Sequence, residues 1–158
     1  MNVWGVKTLY HNRKPLPEAE EKQLGVQCVS LYELLAKSDI ISLHCPLTPQ
    51  TRHLLNSATL SQCKKGVFVI NTSRGSVIDE AALVQALKDG RVGGAGLDVF
   101  EREPRIEKEL LAMDNVILSP HYAAFTRECS MSTLNSANTS GGLGKRSVRE
   151  YNRIHREG

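Results

Sequence analysis

Residues 67–100 read VFVINTSRGSVIDEAALVQALKDGRVGGAGLDVF, and this stretch decides the fold. The apolar run 67–71 predicts a buried strand. Asp79 is the expected N-cap of a helix over residues 80–88, whose apolar side chains recur at helical spacing. Another strand is predicted over residues 95–100. Strand, helix and strand in this order predict a parallel βαβ unit.

The rest of the chain continues the same alternation. Further strands are predicted over residues 6–11, 26–29, 40–45 and 116–119, and further helices over residues 31–37, 57–63 and 126–135. Ser30 and Asn56 have the side chains that are preferred at helix N-caps. The run 40–45 is apolar enough for a strand that is buried on both faces. The pattern predicts an α/β fold with a doubly wound parallel sheet.

The composition favours a soluble globular protein. Its 158 residues are 41% hydrophobic and 23% charged, which suits one domain with a real core. There is no apolar run long enough to span a membrane and no secretory leader at the start, so we expect a cytoplasmic protein without a membrane partner. The four cysteines are scattered without the spacing of a zinc site or a disulfide framework, so we expect a reducing compartment and no metal.

The positive charge is concentrated at the end of the chain. The net charge is +3, and the last fourteen residues hold five Lys and Arg against two Glu, so the rest of the chain is formally neutral. A role in nucleic-acid binding would rest on this segment alone, and a solvated end is the simpler interpretation. We expect residues 135–158 to form a flexible basic tail and no nucleic acid to be a partner.

Ionisable side chains follow the predicted strands. Parallel α/β sheets bind ligands at the carboxyl ends of their strands, which gives weight to Arg74, Asp98, Glu103 and His121. The Arg74 guanidinium has a forked donor geometry that suits a carboxylate. His121 can exchange a proton near neutral pH, and a carboxylate such as Glu103 close to it would raise the pKa of the imidazole. Together they predict a site that binds a small acidic molecule and moves a proton on it.

The same residues carry a resemblance to a known family. The stretch NTSRGSVIDEAALVQALKDGRVGGAGLDVFEREP, followed by LSPH, resembles the D-isomer-specific 2-hydroxyacid dehydrogenases. Glyoxylate/hydroxypyruvate reductases and phosphoglycerate dehydrogenase belong to this family. The resemblance extends from about residue 3 to about residue 132. Its motifs are long and ordered, since Glu103 follows Arg74 by 29 positions and His121 follows Glu103 by 18.

The resemblance implies a role for each of these side chains. Arg74 matches the arginine that holds the substrate carboxylate and polarises its keto group, and His121 matches the general acid/base. Glu103, rather than Glu101, matches the partner that tunes the histidine. Asp98 matches the residue that contacts the nicotinamide carboxamide. The implied reaction is NAD(P)-dependent hydride transfer on the CH–OH group of 2-hydroxy acids, or reduction of 2-keto acids such as glyoxylate and hydroxypyruvate.

Each residue taken singly also has a structural interpretation. Arg74 could end a strand and pair with Asp79 or Glu80, and Asp98 could cap a turn. The glutamate and the histidine could be ordinary loop side chains. In this order and at these distances, the functional interpretation is preferred.

The stretch after the first predicted strand bears on the cofactor. NAD enzymes usually carry Asp or Glu there, but Asn12 stands in that place, followed by Arg13 and Lys14, which could pair with a 2′-phosphate. We predict a preference for NADP over NAD, and the alternative is an exposed basic turn. Pro46 and Thr72, at the ends of two other strands, are assigned to cofactor binding as well.

The match to the family is partial. The family's glycine-rich G-x-G-x-x-G loop should precede the segment that resembles residues 1–5, and it is not in the sequence. We therefore expect residues 1–134 to form a partial NAD(P)-binding domain of Rossmann type that lacks the first strand and glycine loop. We expect the isolated chain to be weakly active or inactive. The alternative is a degenerate, non-catalytic binding or regulatory module, and a homodimer is compatible with either.

Overall fold

The strands of the protein are paired in parallel, as the alternation of strands and helices predicts. The computed structural model describes residues 5–123, of which residues 5–120 belong to one compact unit. A second unit begins at His121. The predicted helix over residues 126–135 and the predicted boundary at residue 134 lie outside the described residues.

The described residues contain short elements in regular alternation. The strands are β1 (Thr8–Tyr10), β2 (Val26–Cys28), β3 (Ile40–Leu43), β4 (Val67–Asn71), β5 (Val92–Leu97) and β6 (Val116–Leu118). The α-helices are α1 (Glu18–Leu24), α2 (Leu31–Lys37), α3 (Ser57–Ser61), α4 (Glu80–Lys88) and α5 (Lys108–Leu111). One turn of 3₁₀ helix, Gly75–Val77, follows β4. Helices α1 and α5 and the 3₁₀ turn are not predicted from the sequence.

The strands lie in two parallel sheets. β1 pairs with β2, and the larger sheet has the order β3-β4-β5-β6. In the larger sheet Val69 of β4 lies between Ile41 of β3 and Ala95 of β5. The prediction of an α/β fold with parallel strands is confirmed. Because β3 to β6 all run in the same direction, their carboxyl ends meet at one edge, where a ligand site is expected.

The three predicted helix caps are confirmed. The Ser30 hydroxyl accepts a hydrogen bond from the Glu33 N–H at 3.2 Å, and the Asp79 carboxylate accepts one from the Ala82 N–H at 3.1 Å. The Asn56 side chain caps α3 through a reciprocal capping box. Such caps satisfy N–H groups that have no partner inside the helix, and the pattern is local enough to be visible in the sequence.

One face of the larger sheet carries the core. Val67 and Val69 of β4 belong to the same buried cluster as Leu60 of α3 and Leu83 and Leu87 of α4. Because side chains alternate along a strand, every second residue of β4 faces these helices.

The opposite face of the larger sheet is exposed. Phe68 has 53% of its surface accessible, Ile40 has 61% and Ile117 has 77%. The prediction that residues 40–45 form a strand buried on both faces is therefore wrong, because burial in β3 alternates from residue to residue. Burial of both faces requires elements on both sides of a sheet, which an apolar run alone does not guarantee.

The predicted strand over residues 95–100 is displaced by three residues, since β5 is Val92–Leu97. A Cβ atom at Gly93 would lie 2.6 Å from the Gly66 carbonyl oxygen, and one at Gly94 would lie 2.9 Å from that of Asn115. Glycine lowers the strand propensity of a sequence, but here close backbone approach requires it. In the described part of the chain, no helix has the length and hydrophobicity needed to cross a membrane.

Candidate functional site

The turn that carries Arg74 is held by the last residue of β4. The buried Asn71 side chain donates to the Arg74 carbonyl oxygen at 3.0 Å. Its amide oxygen accepts from the Ser73 N–H at 3.0 Å and from the Ser73 hydroxyl at 2.8 Å. These bonds fold the chain back on itself directly after the strand, and so Arg74 is placed at the carboxyl edge of the sheet.

The Arg74 side chain is exposed at this edge. Its Nη1 donates to the neighbouring Ser73 carbonyl oxygen at 2.6 Å. Within residues 5–123 no ion pair joins it to Asp79 or Glu80; their carboxylates cap α4 and accept the Glu101 N–H, respectively. The alternative in which Arg74 pairs with one of these acids is not what the structure shows. The guanidinium keeps donors that can face a ligand.

The glycine after Arg74 has a steric reason. A Cβ atom at Gly75 would lie 1.9 Å from the Phe100 carbonyl carbon and 2.0 Å from its oxygen. No side chain fits there, so the backbone of the Arg74 turn rests directly on the backbone that follows β5. This contact brings the Arg74 turn beside the loop that carries Asp98 and Glu103.

Asp98 is fixed at the ends of three neighbouring strands. Its N–H donates to the Asn71 carbonyl oxygen of β4 at 3.0 Å. Its carboxylate is buried and accepts a hydrogen bond from the Ser119 hydroxyl, just after β6. A buried carboxylate needs such donors to offset the loss of hydration. Asp98 is thus a rigid part of the edge where a ligand would bind.

Glu103 lies in the loop after β5 and is exposed. Its Oε1 accepts a hydrogen bond from the Phe100 N–H at 2.9 Å, so the side chain folds back onto its own loop. The segment with Arg74 and the segment with Asp98 and Glu103 are therefore in backbone contact.

His121 is the first residue of the second unit and is exposed. Its φ angle of 60° lies in the left-handed region, which is uncommon for a residue other than glycine. Its predicted pairing with Glu103 stays a prediction.

The residues predicted to bind the adenosine end of the cofactor follow β1. The Asn12 side chain accepts from the Arg13 N–H at 3.0 Å, and Arg13 and Lys14 are exposed. Among the ion pairs of the described chain, none involves either cation. Both cations are therefore available to an anionic group.

The loop after β1 is anchored by Tyr10. Its hydroxyl donates to the Glu21 carboxylate at 2.5 Å and accepts from the Leu16 N–H at 2.7 Å. Burial and the hydrogen bond with Glu21 raise the pKa of Tyr10 to about 12, so the hydroxyl keeps its proton at neutral pH. The loop with the two cations is thus closed between Tyr10 and Leu16.

The two other residues assigned to the cofactor are at strand ends. The Pro46 carbonyl oxygen accepts from the Thr51 hydroxyl at 2.6 Å, and Thr72 is exposed directly after β4. Among residues 5–123, no three His, Cys, Asp or Glu side chains are grouped as metal ligands.

A cluster that the sequence did not reveal lies beside this edge. The Glu101 carboxylate accepts from His53 Nε2 at 2.7 Å and from Arg52 Nη2 at 3.1 Å, while the Glu101 N–H donates to the Glu80 carboxylate at 2.5 Å. Glu80 is 5% exposed, and burial raises the pKa of its carboxyl, although the hydrogen bond from Glu101 acts in the opposite direction. One signal was available in the sequence: Glu80 occupies the same helix face as the core residue Leu83.

Comparisons with known proteins point to one family. The family model for the D-isomer specific 2-hydroxyacid dehydrogenase, NAD binding domain, matches residues 1–123. A glyoxylate reductase of Thermococcus litoralis is 47% identical over 125 residues, which are 79% of this chain and 38% of that protein.

Solved structures show the same likeness. The apo form of Rhodotorula graminis D-mandelate dehydrogenase superposes with a TM-score of 0.77 at 40% identity, covering 79% of this chain and 36% of that one. A D-isomer specific 2-hydroxyacid dehydrogenase from Xanthobacter autotrophicus Py2, in complex with NADPH and MES, gives a TM-score of 0.67 at 41% identity over 74% and 37% of the two chains. The chain thus spans somewhat more than a third of the length of these relatives.

Proposed function

Because the chain belongs to the D-isomer specific 2-hydroxyacid dehydrogenases, whose NAD binding domain it matches, we propose that it serves an NAD(P)-dependent oxidoreductase that acts on small 2-hydroxy or 2-keto acids. The observation that carries the proposal is the contact between the Arg74 turn and the loop of Asp98 and Glu103 at the carboxyl edge of a parallel sheet. The forked guanidinium of Arg74, exposed at this edge, suits the carboxylate of an anionic substrate.

In this proposal, each side chain has one task. Arg74 binds the carboxylate of the acid and polarises its 2-keto oxygen. His121 gives a proton to that oxygen in the reduction and takes it back in the oxidation, with Glu103 as its partner. The nicotinamide, when bound, supplies or accepts the hydride at the 2-carbon.

We further propose that glyoxylate or hydroxypyruvate is the 2-keto acid. The supporting observation is the name of the relative from Thermococcus litoralis, a glyoxylate reductase. A cytoplasmic location and a homodimer remain part of this proposal.

The proposed cofactor preference is for NADP. Its support is the loop after β1, where Asn12, Arg13 and Lys14 present two exposed cations and no carboxylate. The residues at this end fit a 2′-phosphate, since Arg and Lys are its usual partners. Asp98, with its buried and fixed carboxylate, fits the other end, where a carboxamide N–H would donate to it.

Titration of NADPH and NADH against the purified chain, followed by nicotinamide fluorescence, tests the proposal. We expect tighter binding of NADPH. Replacement of both Arg13 and Lys14 by Ala should weaken NADPH binding by about tenfold and leave NADH binding unchanged, since only the phosphate loses its partners. Lys88→Ala, an exposed lysine at the end of α4, is the matched control. Tighter binding of NADH would contradict the preference, and no binding of either would contradict the function.

The isolated chain is expected to be weakly active or inactive, because it spans little more than a third of the length of its relatives. A high rate of glyoxylate reduction by the 158-residue chain would contradict this expectation.

One observation favours a second candidate, a non-catalytic binding module. The sheet face formed by Ile40, Phe68 and Ile117 is apolar and exposed, as at many interaction surfaces. The dinucleotide titration separates the two candidates, because a module of this kind needs no cofactor.

A further inference from the structure

Glu101 is the centre of a set of contacts that the proposed chemistry does not use. Its carboxylate is 15% exposed and accepts from two donors, the His53 ring and the Arg52 guanidinium. A carboxylate accepts and cannot donate when ionised, so His53 must carry its proton on Nε2. Both donors come from the segment before α3. His53 precedes Glu101 by 48 residues in the sequence.

The backbone of Glu101 is anchored on its other side. Its N–H donates to the carboxylate of Glu80, in the first turn of α4. Because Glu80 is buried, it cannot turn to water for another donor. The peptide between Phe100 and Glu101 is therefore held in one orientation by α4, while the side chain is held by residues 52–53.

The segment with His53 is itself joined to the Arg74 turn. The His53 N–H donates to the Ser76 carbonyl oxygen at 2.8 Å, and the Leu55 N–H donates to that of Val77 at 3.2 Å. The φ angle of His53 is 50°, in the left-handed region, which directs its ring and its N–H to two different segments.

Three segments thus form a closed ring of contacts. Residues 52–55 are bonded to residues 76–79, the Arg74 turn rests on Phe100 through Gly75, and Glu101 bonds back to residues 52–53. Removal of one link leaves a chain of contacts that can open, whereas the closed ring restricts all three segments.

We propose that Glu101 is a positioning residue, which closes this ring and so fixes the loop that presents Asp98 and Glu103 beside Arg74. The link to Glu103 is direct, because the Glu103 carboxylate accepts a hydrogen bond from the N–H of Phe100, the residue before Glu101. Only the purpose of this positioning rests on the proposed function. The ring itself is a property of residues 52–103.

Amide hydrogen exchange of the full chain, resolved by NMR, tests the proposal. In Glu101→Ala we expect the Phe100 amide to exchange about tenfold faster or more, because two charge-assisted bonds are lost and the loop opens locally. Amides of β4 and β5 and the midpoint of urea unfolding should change little. Glu101→Gln keeps an acceptor oxygen and should lie between the two.

Matched variants separate positioning from a general loss of stability. Glu33→Ala removes an ion pair with Lys37 on α2, remote in sequence from the ring, and should leave the Phe100 amide unchanged. His53→Gln, whose amide can donate from nearly the same place, should keep the protection that His53→Leu loses. This second pair decides the question if Glu101→Ala fails to fold.

Two results would overturn the positioning role. One is unchanged exchange of the Phe100 amide in Glu101→Ala and His53→Leu. The other is faster exchange in parallel across β4 and β5, which would indicate a purely structural contribution. A wild-type chain that binds neither NADPH nor NADH would instead contradict the proposed function, and the exchange experiment would still decide whether the ring positions Glu103.

Discussion

Replacement of Gly75 by Ala tests the contact on which the candidate site depends. The added Cβ would lie 1.9 Å from the Phe100 carbonyl carbon, whereas ordinary contacts begin at 3.4 Å. The two backbone segments would have to separate by roughly 1.5 Å. A movement of that size at Glu101 would take its N–H out of hydrogen-bond range of the Glu80 carboxylate, now 2.5 Å away.

The expected loss of stability follows from these distances. Overpacking usually costs about 1–3 kcal/mol, and both partners here are backbone, which cannot rotate away as a side chain can. The lost hydrogen bond to a buried carboxylate adds about 1–3 kcal/mol. We therefore expect Gly75→Ala to lower the free energy of unfolding by about 3 kcal/mol or more.

Urea unfolding followed by circular dichroism measures this loss, and Gly96→Ala is the control. Gly96 lies in β5, and a Cβ atom there would have no heavy atom within 4 Å. We expect that variant to remain within about 0.5 kcal/mol of the wild type. Equal stability of the two variants would show that the Arg74 turn and the Phe100 loop are not in backbone contact.

Three further outcomes follow from single side chains. Asn71→Ala should lower the free energy of unfolding by about 2 kcal/mol, because the groups that it bonds around Arg74 lose their buried partner; urea unfolding measures it. Glu80→Gln should flatten the pH dependence of stability. Burial raises the pKa of the carboxyl in the folded state, so the wild type loses stability as pH rises above about 4.5, whereas the variant does not. The exposed Glu109→Gln is the control. Ile117→Ser should change stability by less than about 0.5 kcal/mol but reduce self-association in sedimentation, since this side chain is 77% exposed.

The sequence predicts the local features of this fold well. The caps at Ser30, Asn56 and Asp79 and the strand Val67–Asn71 are confirmed, because each depends on residues within one turn or one strand. The displaced strand β5 shows the limit. A side chain at Gly93 would collide with the backbone of Gly66, 27 residues earlier in the chain. The strand propensity of a sequence contains no information about such a distant contact.

The candidate site was predictable only in part, for the same physical reason. Arg74 and Asp98 follow strands, so the topology rule for parallel sheets places them at one edge. Glu101 and Glu103 differ by two positions in an irregular loop, where no periodicity tells which carboxylate faces which neighbour. The partners of Glu101 are far away in sequence, and only the folded chain shows that it is bound by His53 and Arg52.

The two carboxylates in this loop have different roles in the proposed site. A group that meets substrate must stay accessible, and Glu103, which is proposed for that role, is exposed and accepts a hydrogen bond from the Phe100 N–H of its own loop. An accessible group on a short loop loses its direction easily, and a misplacement of about 1 Å can cost a hundredfold in rate. Glu101, held on both sides two positions earlier, is proposed to keep this loop in one orientation. The other side of the contact combines an accessible residue with a fixed one in the same way. Arg74 stays exposed, while Gly75 is buried against Phe100.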